Sequence, residues 1–362
     1  MKKNKIALLL VGAMSLSMLA SGCGKKKSND TETAETPSVT MDDIATMSDA
    51  GNIQLVQKEG YVISELTGEW IDESLENQRP ICLMVNNIID AMPQSGISKA
   101  DITFEILVEG GVTRYLCVFK DYASLGKTGP VRSARHYYVR MNDFLDGIYA
   151  HYGWANYAQQ LIEAEGTNNL NGLYDAETYY RDNSRYAPHN VYTDGARLAA
   201  GVERAGYRTE YKDGVGRIFD FNLEDTPLNN GQKANKVITA YNGQQTRWFE
   251  YNEEDKRYYR WQYNEPQMDC EVNEQLSYKN VIVMFADYSP IDDGYLLHLD
   301  WYTKNNKALY FTDGEYKEIT WENINEEQVR FFDSDGKLLK MNPGNTFITV
   351  FKSSETDLVT IE

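Results

Sequence analysis

The chain has 362 residues and a formal net charge of −18, with 54 acidic against 36 basic side chains. This acidity excludes nucleic acid as a general partner, and it excludes adsorption to anionic lipid through the bare protein surface, because both need a basic face. The length is sufficient for two domains.

The N-terminus has the pattern of a bacterial export signal. A short cationic start, residues 1–5, precedes an apolar run over residues 6–19, and Ala20-Ser21-Gly22 supplies the small residues that a signal peptidase needs. The apolar run is too short to span a bilayer comfortably. Because Cys23 follows directly, the segment resembles the bacterial lipoprotein signal, in which this thiol is acylated, with palmitate as the expected chain. The alternative is an ordinary secretory signal followed by a chance cysteine.

We therefore predict a signal peptide over residues 1–22 and a lipidated, flexible linker over residues 23–60. The linker is polar, rich in Ser, Thr and acids and nearly free of aromatic residues, so it cannot bury enough apolar surface to fold. At roughly 5–6 Å times the square root of its length, it would hold the folded part roughly 35 Å from the membrane. Loss of the three signal lysines makes the charge still more negative, so acylated Cys23 would supply the attachment to the lipid bilayer.

Residues 61–215 predict an N-terminal mixed α/β domain, because short strands alternate with helices. Glycines mark several ends: Glu109-Gly110-Gly111-Val112 predicts a hairpin turn, and Gly166 and Gly206 end two helices. Gly129-Pro130, with Ser133 as cap, opens the first helix. The predicted strands are Ile81–Val85, Ile102–Val108, Arg114–Phe119 and Ile148–His151, and the predicted helices are Ser133–Phe144, Ala155–Glu165 and Gly195–Ala205.

Residues 216–362 predict a smaller, mainly antiparallel β domain, so the fold class is α+β. Asn242-Gly243, Asp313-Gly314 and Asp335-Gly336 are hairpin dipeptides. The predicted strands are Val237–Tyr241, Thr246–Tyr251, Tyr258–Tyr263, Val281–Phe285, Tyr295–Tyr302, Ala308–Phe311, Tyr316–Trp321 and Thr346–Phe351.

A basic segment interrupts this acidic chain between Val112 and Arg140. It carries six basic side chains against one acid, Asp121. Arginine forms bidentate bonds to carboxylate and phosphate oxygens, so the segment indicates an anion site. The alternative is that these arginines pair with internal acids such as Asp101, Glu105 or Glu109. With the polar loop around residues 181–190, the predicted ligand-binding residues are Arg114, Arg132, Ser133, Arg135, Arg185, His189 and Asn190.

Signals for catalysis and for metals are weaker. Glu105 and Glu109 share a strand face if the strand reaches Glu109, and such a pair could act as acid and base on a glycoside. His151 and His189 are further catalytic candidates, without H-x-H or H-E-x-x-H spacing. We predict no metal and no cofactor. Cys82 and Cys117 stand in apolar runs and are expected to be buried thiols.

A set of short motifs is spread over about residues 78–352. The motifs are Arg79-Pro80, Asn87, Pro93-Gln94-Ser95-Gly96, Ala100-Asp101, Glu105, Glu109-Gly110-Gly111-x-Thr113-Arg114, Gly129-Pro130-Val131-Arg132-Ser133-Ala134-Arg135, His151-x-Gly153, Pro188-His189-Asn190, Asn280-Val281, Asp313-Gly314, Trp321 and Asn342-Pro343-Gly344. At these residues the chain resembles the YerB-like lipoproteins, a family of bacterial, mostly Gram-positive, lipoproteins with paired N- and C-terminal domains and no settled activity. The resemblance therefore implies the location and the domain division without naming a reaction.

The sequence thus predicts a lipid-anchored protein on the extracytoplasmic face of the membrane, in a Gram-positive bacterium. Its predicted role is to bind an anionic ligand of the cell wall, or a lipid-linked one, through a phosphate or carboxylate group. The alternatives are a cell-wall glycan hydrolase using Glu105 and Glu109, and a non-catalytic adaptor that docks another envelope protein. Whether the protein is an enzyme stays open, and binding is favoured because no residue spacing is specific to a reaction.

Overall fold

The computed structural model describes residues 58–215, 217–241, 247–291, 296–323 and 328–362. These residues belong to one compact unit. The predicted signal peptide, Cys23 and the linker up to residue 57 lie outside the described residues, as do Asn242-Gly243 and Tyr295.

The three α-helices of the described residues all lie in the first part of the chain, and strands dominate the rest. The helices are α1 (His136–Phe144), α2 (Asn156–Glu165) and α3 (Gly195–Ala205). The strands before residue 215 are β1 (Tyr61–Ile63), β2 (Trp70–Asp72), β3 (Ile81–Asn87), β4 (Ile102–Leu107), β5 (Thr113–Phe119), β6 (Ile148–His151), β7 (Asn169–Asn171), β8 (Tyr180–Arg181) and β9 (Val191–Tyr192). The later strands are β10 (Asp220–Phe221), β11 (Gln232–Lys233), β12 (Lys236–Thr239), β13 (Arg247–Asn252), β14 (Arg257–Gln262), β15 (Glu265–Pro266), β16 (Met268–Asp269), β17 (Glu274–Gln275), β18 (Ser277–Tyr278), β19 (Asn280–Ala286), β20 (Tyr288–Ile291), β21 (Leu296–Leu299), β22 (Thr303–Thr312), β23 (Glu315–Asn323), β24 (Arg330–Phe332), β25 (Lys340–Met341), β26 (Thr346–Lys352) and β27 (Val359–Ile361).

One large sheet runs through the molecule in the order β11-β23-β22-β19-β26-β4-β5-β3-β6-β7, with β24 beside β23. In its centre β19, β26 and β4 are parallel to one another, and so are β3, β6 and β7. β5 runs antiparallel between β4 and β3, so these six strands share one direction. The remaining strands pair antiparallel on the far side of β19. The predicted α+β class, with helices early and mainly antiparallel strands later, is confirmed.

The two predicted domains share this sheet. β26, close to the C-terminus, pairs with β4 from Thr346 beside Ile102 to Val350 beside Ile106. A second sheet of β12–β15, β18 and β27 belongs wholly to the later part of the chain. The boundary predicted at residues 215/216 falls between α3 and β10 and stays a prediction.

Two hydrophobic cores lie on opposite faces of the large sheet, because alternate side chains of a strand point to opposite faces. In β3, Cys82 and Met84 belong to the core that α1 and α2 cover. Ile81, Leu83 and Val85 belong to the core covered by α3 and the second sheet. Cys82 and Cys117 are buried free thiols, as predicted, and Cys270 is exposed.

Most predicted elements are present within one to three residues of their predicted ends. The Asp313-Gly314 turn joins β22 to β23 with positive φ at both residues, 51° and 74°. One prediction is wrong: α1 begins at His136, and Ser133 does not cap it. The described residues contain no helix long and apolar enough to cross a membrane.

Candidate anion-binding site

The predicted site residues gather at one edge of the large sheet. β3, β4, β6 and β7 share a direction, so their carboxyl ends meet at this edge, and antiparallel β5 begins there. Asn86 is the penultimate residue of β3, Glu109 follows β4, Gly153 follows β6, and Arg114 is the second residue of β5. Ligands of open α/β sheets bind in the crevice at such carboxyl ends.

The segment 129–135 carries the arginines across this edge in an extended form. The Val131 amide donates to the Val191 carbonyl at 2.7 Å, the Arg132 amide to Met84 at 3.0 Å and the Ala134 amide to Gly153 at 2.9 Å. A Cβ on Gly129, whose φ is 145°, would lie 2.9 Å from the Val191 carbonyl oxygen. These bonds to three separate segments explain why the helix starts three residues later than predicted.

Three guanidinium groups lie close together here, and Glu109 is the carboxylate that acts on two of them, those of Arg135 and Arg114. Arg135 binds Glu109 through two bonds, Nε to Oε1 and Nη2 to Oε2, both 2.6 Å. Arg114, with 7% of its surface exposed, donates to the Ser133 carbonyl at 2.6 Å. Burial, and then the charges of Arg135 and Arg132, lower the pKa of Arg114 to about 10. Glu109 neutralises one cation, which leaves the cluster with excess positive charge.

Arg132 is the member of this cluster without an internal anion. Its Nε is buried without a hydrogen-bond partner, and no ion pair or hydrogen bond of its side chain is found within the described ranges. Burial, and then the charge of Arg135, lower its pKa. Ser133 is half-buried beside it, with its hydroxyl 3.5 Å from where a Cβ on Gly153 would lie.

The loop that precedes β9 completes one wall. His189 Nδ1 lies 2.8 Å from Asn86 Nδ2, and burial, then the positive charge of Arg132, lower the pKa of His189. His189 and Arg132 are therefore neighbours, and their joint role in binding a ligand stays a prediction. Arg185 and Asn190 are otherwise engaged: Arg185 donates to the carbonyls of Pro93 and Met92 at 2.9 and 2.8 Å, while Asn190 Oδ1 accepts from Arg181 at 2.7 Å. They hold the loop together, which corrects the prediction that they contact the ligand.

Glu105 does not reach this site. It has no exposed surface and binds Arg260 at 2.9 Å and Arg247 at 3.2 Å. Asn87 and Thr113 also donate to it, at 3.0 and 2.7 Å. With Glu109 tied to Arg135, neither carboxylate is placed to act on a glycoside, which corrects the predicted acid–base pair.

His151 is also a structural residue. It has no exposed surface, its Nδ1 lies 2.8 Å from the Gly153 carbonyl oxygen, and its Nε2 lies 3.2 Å from Asn169 Oδ1. Burial lowers its pKa to about 4. His151 is therefore a neutral ring that holds the Gly153 turn. This corrects the prediction that it is a catalytic candidate.

A pH dependence of stability follows from His151. Between about pH 6.5 and 4 the unfolded chain binds a proton that the folded His151 excludes, so stability should fall as the pH falls through this range, by up to about 3 kcal/mol. Urea titrations at pH 4.5, 5.5, 6.5 and 7.5 should show a flatter dependence in His151→Gln than in the wild type. Parallel curves for the two proteins would contradict the assignment of a neutral, buried His151.

Exposed apolar side chains lie in the loops at this sheet edge, and the sequence patterns did not predict them. Ile89, Leu173, Tyr174 and Tyr186 are 63%, 57%, 75% and 61% exposed, and they follow β3, follow β7 and lie in the loop before β9. The ring of Trp154 lies 5.6 Å from that of Tyr174. In the sequence, these residues could have been recognised by their positions just beyond the ends of strands. No group of three or more potential metal ligands occurs in the part of the chain that the structure describes.

Comparison with known proteins places the chain in a family. Two family models match consecutive stretches: the protein of unknown function (DUF3048) N-terminal domain over residues 66–208, and its C-terminal domain over residues 237–348. The Bacillus subtilis protein named "Putative lipoprotein YerB" is 31% identical over 289 residues, 79% of this chain and 85% of that protein. The chain belongs to the YerB family.

A crystal structure of the YerB protein from Bacillus subtilis agrees with this assignment. It has a TM-score of 0.74 and 27% sequence identity to this chain, and the match covers 83% of this chain and 99% of that one. The predicted resemblance to YerB-like lipoproteins is thus confirmed. Glu109 and the three clustered arginines, Arg114, Arg132 and Arg135, lie within the N-terminal domain of the family.

Proposed function

We propose that this YerB-family protein is anchored by an acylated Cys23 to the extracytoplasmic face of a Gram-positive cell membrane and binds an anionic envelope ligand at Arg132. The name of the Bacillus subtilis relative, a lipoprotein, supports the anchoring. So does the N-terminal pattern of cationic start, apolar run and small residues before Cys23. The acidic surface disfavours contact with anionic lipid, so the acyl chains hold the protein at the membrane.

The observation that carries ligand binding is the unbalanced charge at the sheet edge. Three guanidinium groups lie close together, Glu109 acts on those of Arg135 and Arg114, and Arg132 has no internal anion among the described residues. Bringing like charges together while removing them from water costs free energy unless an anion compensates. A phosphate or carboxylate would supply that compensation.

The ligand group fits the donors at this edge. A guanidinium offers planar pairs of N–H groups that match the oxygens of carboxylate and phosphate. The Ser133 hydroxyl is near Arg132, and Asn171 Nδ2 is a further buried donor without a partner. Asn171 uses its Oδ1 to accept from the Gly153 amide at 3.0 Å, which holds it beside the same turn.

Replacement of Arg132 tests the proposal. The two cores and the large sheet lie within the compact unit Gln57–Glu362, so the chain from residue 24 onward can be studied without its anchor. Arg132→Ala should weaken binding of methyl phosphate and acetate, whichever the wild type binds, by about 30-fold, the loss expected for charge-assisted bonds to a guanidinium. Isothermal titration calorimetry at low salt measures this.

Arg217→Ala is the matched control, because it removes one positive charge from an exposed side chain outside the cluster. It should leave the affinity within twofold of the wild type. Equal affinities of wild type and Arg132→Ala, or no binding of either anion by the wild type, would contradict the proposal.

A further inference from the structure

A cavity of about 600 Å³ lies next to the arginine cluster, between the first turns of α1 and α2 and the β20–β21 hairpin. Its volume is within the range of small-molecule sites. Most of its wall is aromatic or aliphatic, and the side chains that matter here are His136, Tyr137, Tyr157, Leu161, His298 and Trp301.

The cavity and the arginines adjoin through the start of α1. His136, in the cavity wall, follows Arg135 directly, and the charges of Arg135 and Glu109 both act on its pKa. Tyr137 lines the cavity and feels the charges of Glu109, Arg135 and Arg114. β19 shares the direction of β4, so it ends at the same sheet edge and leads there into β20. The charged site and the apolar cavity are therefore neighbours.

His136 is a neutral part of this wall, which also contains Arg140 and Asp300, and it has one unsatisfied polar atom. Burial, followed by the neighbouring His298, lowers its pKa to about 4, so the ring is neutral at pH 7. It stacks on His298 with ring centroids 5.9 Å apart and planes inclined by 7°. Its Nε2 is buried without a hydrogen-bond partner. Buried polar atoms are usually paired, so an occupant carrying an oxygen near this ring would satisfy it.

We propose that the anion bound at Arg132 belongs to an amphiphile, whose apolar chain or ring occupies the cavity between α1, α2 and the β20–β21 hairpin. The inference rests on the proposed function, because the arginines hold the charged end. The Arg135–Glu109 pair lies between the two parts of the site, and the ester oxygen that joins head to chain would pass close to His136 Nε2. A single amphiphile molecule, withdrawn from any bilayer, matches the size of this open cavity between two helices and strands β20 and β21.

Phosphates that differ in their apolar part test the inference. The probes are methyl phosphate, octyl phosphate below its micelle concentration, and octanol, titrated by calorimetry into the chain from residue 24 onward. Octyl phosphate should bind at least about 30-fold more tightly than methyl phosphate, because each buried methylene adds about fourfold. Octanol should bind more weakly than octyl phosphate.

Two variants test whether the apolar octyl group of octyl phosphate occupies the cavity. Leu161→Gln makes the wall polar and Ser289→Trp fills the cavity from its exposed rim; either should reduce the advantage of octyl over methyl phosphate to about threefold and leave methyl phosphate unchanged. Leu223→Gln, the same substitution at a residue 53% exposed and outside the cavity wall, should leave both affinities as in the wild type.

The outcomes separate the inference from the proposed function. Equal affinities for octyl and methyl phosphate would overturn the inference and leave anion binding at Arg132 intact. If neither phosphate binds while acetate does, the inference is overturned and the proposed function stands; if acetate does not bind either, both fail. Octyl phosphate binding that Arg132→Ala does not weaken would show an apolar site separate from the arginines, which also overturns the inference. Binding to phosphatidic acid vesicles without binding of octyl phosphate would indicate a membrane surface instead and overturn it as well.

Discussion

Glu105→Gln is expected to lower the free energy of unfolding by about 3–5 kcal/mol, the cost of removing one partner from a buried ion pair. Glu105 lies on β4 in the middle of the large sheet, while Arg247 and Arg260 lie on β13 and β14 of the second sheet. All three side chains have no exposed surface. The substitution would leave two guanidinium groups in a low-dielectric interior without their carboxylate.

Urea denaturation at pH 7 measures this effect, and Glu318→Gln is the control. Glu318 pairs with Lys307 at 2.7 Å, but 67% of its side chain is exposed, so its loss should cost less than about 1 kcal/mol. Replacing all three charged residues together, with Leu at 105 and Met at 247 and 260, should recover much of the stability. Equal effects of the two glutamine substitutions would contradict the view that Glu105 balances buried charge.

Asp269→Ala is expected to cost about 3 kcal/mol or more, because it leaves three backbone N–H groups, one buried and two partly buried, without their acceptor. Asp269 has no exposed surface. It accepts from the Gly96 and Ser98 amides at 2.8 Å each and from the Glu271 amide at 2.9 Å. It thereby fixes the loop after β3 to β16 of the later part of the chain, where the Cys270 amide also donates to Gln94.

Asp269→Asn refines this test, since its remaining carbonyl oxygen can serve Gly96 and Glu271 while the bond to Ser98 is lost. Its expected loss is about half that of the alanine variant. Asp335→Ala is the control: Asp335 is 52% exposed and paired with a more exposed Lys337, so its loss should stay below about 1 kcal/mol. Thermal unfolding of the four proteins gives the order of stability, and an Asp269→Ala protein as stable as Asp335→Ala would refute the anchoring role.

Local patterns predicted most of the secondary structure. α3 begins and ends at the predicted residues, with Asp194 capping it and Gly206 in the left-handed region at its end. Such signals are local, because caps and glycine turns are set by neighbouring residues. α1 was misplaced because the Arg132, Val131 and Ala134 amides find acceptors in three distant segments, and no local pattern reports those acceptors.

The site was also predicted only in part, because local patterns show which residues are basic but not which partners they meet. The basic segment around Arg132 was visible as a reversal of charge in an acidic chain. Which arginine keeps an unbalanced charge depended on the partners: Arg135 has Glu109, Arg185 has backbone carbonyls, and Arg132 has no internal anion among the described residues. Partner choice is a matter of three-dimensional distance, which a single sequence does not contain.

By itself, then, the sequence predicted the lipid anchor and determined the order of elements, the α+β class and the presence of an arginine-rich segment. All of these follow from composition and short-range pattern. The tertiary structure decided that β26 joins β4 in a continuous sheet, that Glu105 is buried among arginines of the second sheet, and that Arg132 faces the sheet edge unpaired. The first two depend on contacts between residues more than a hundred positions apart, such as Glu105 and Arg260, whose electrostatic balance exists only once the chain has folded.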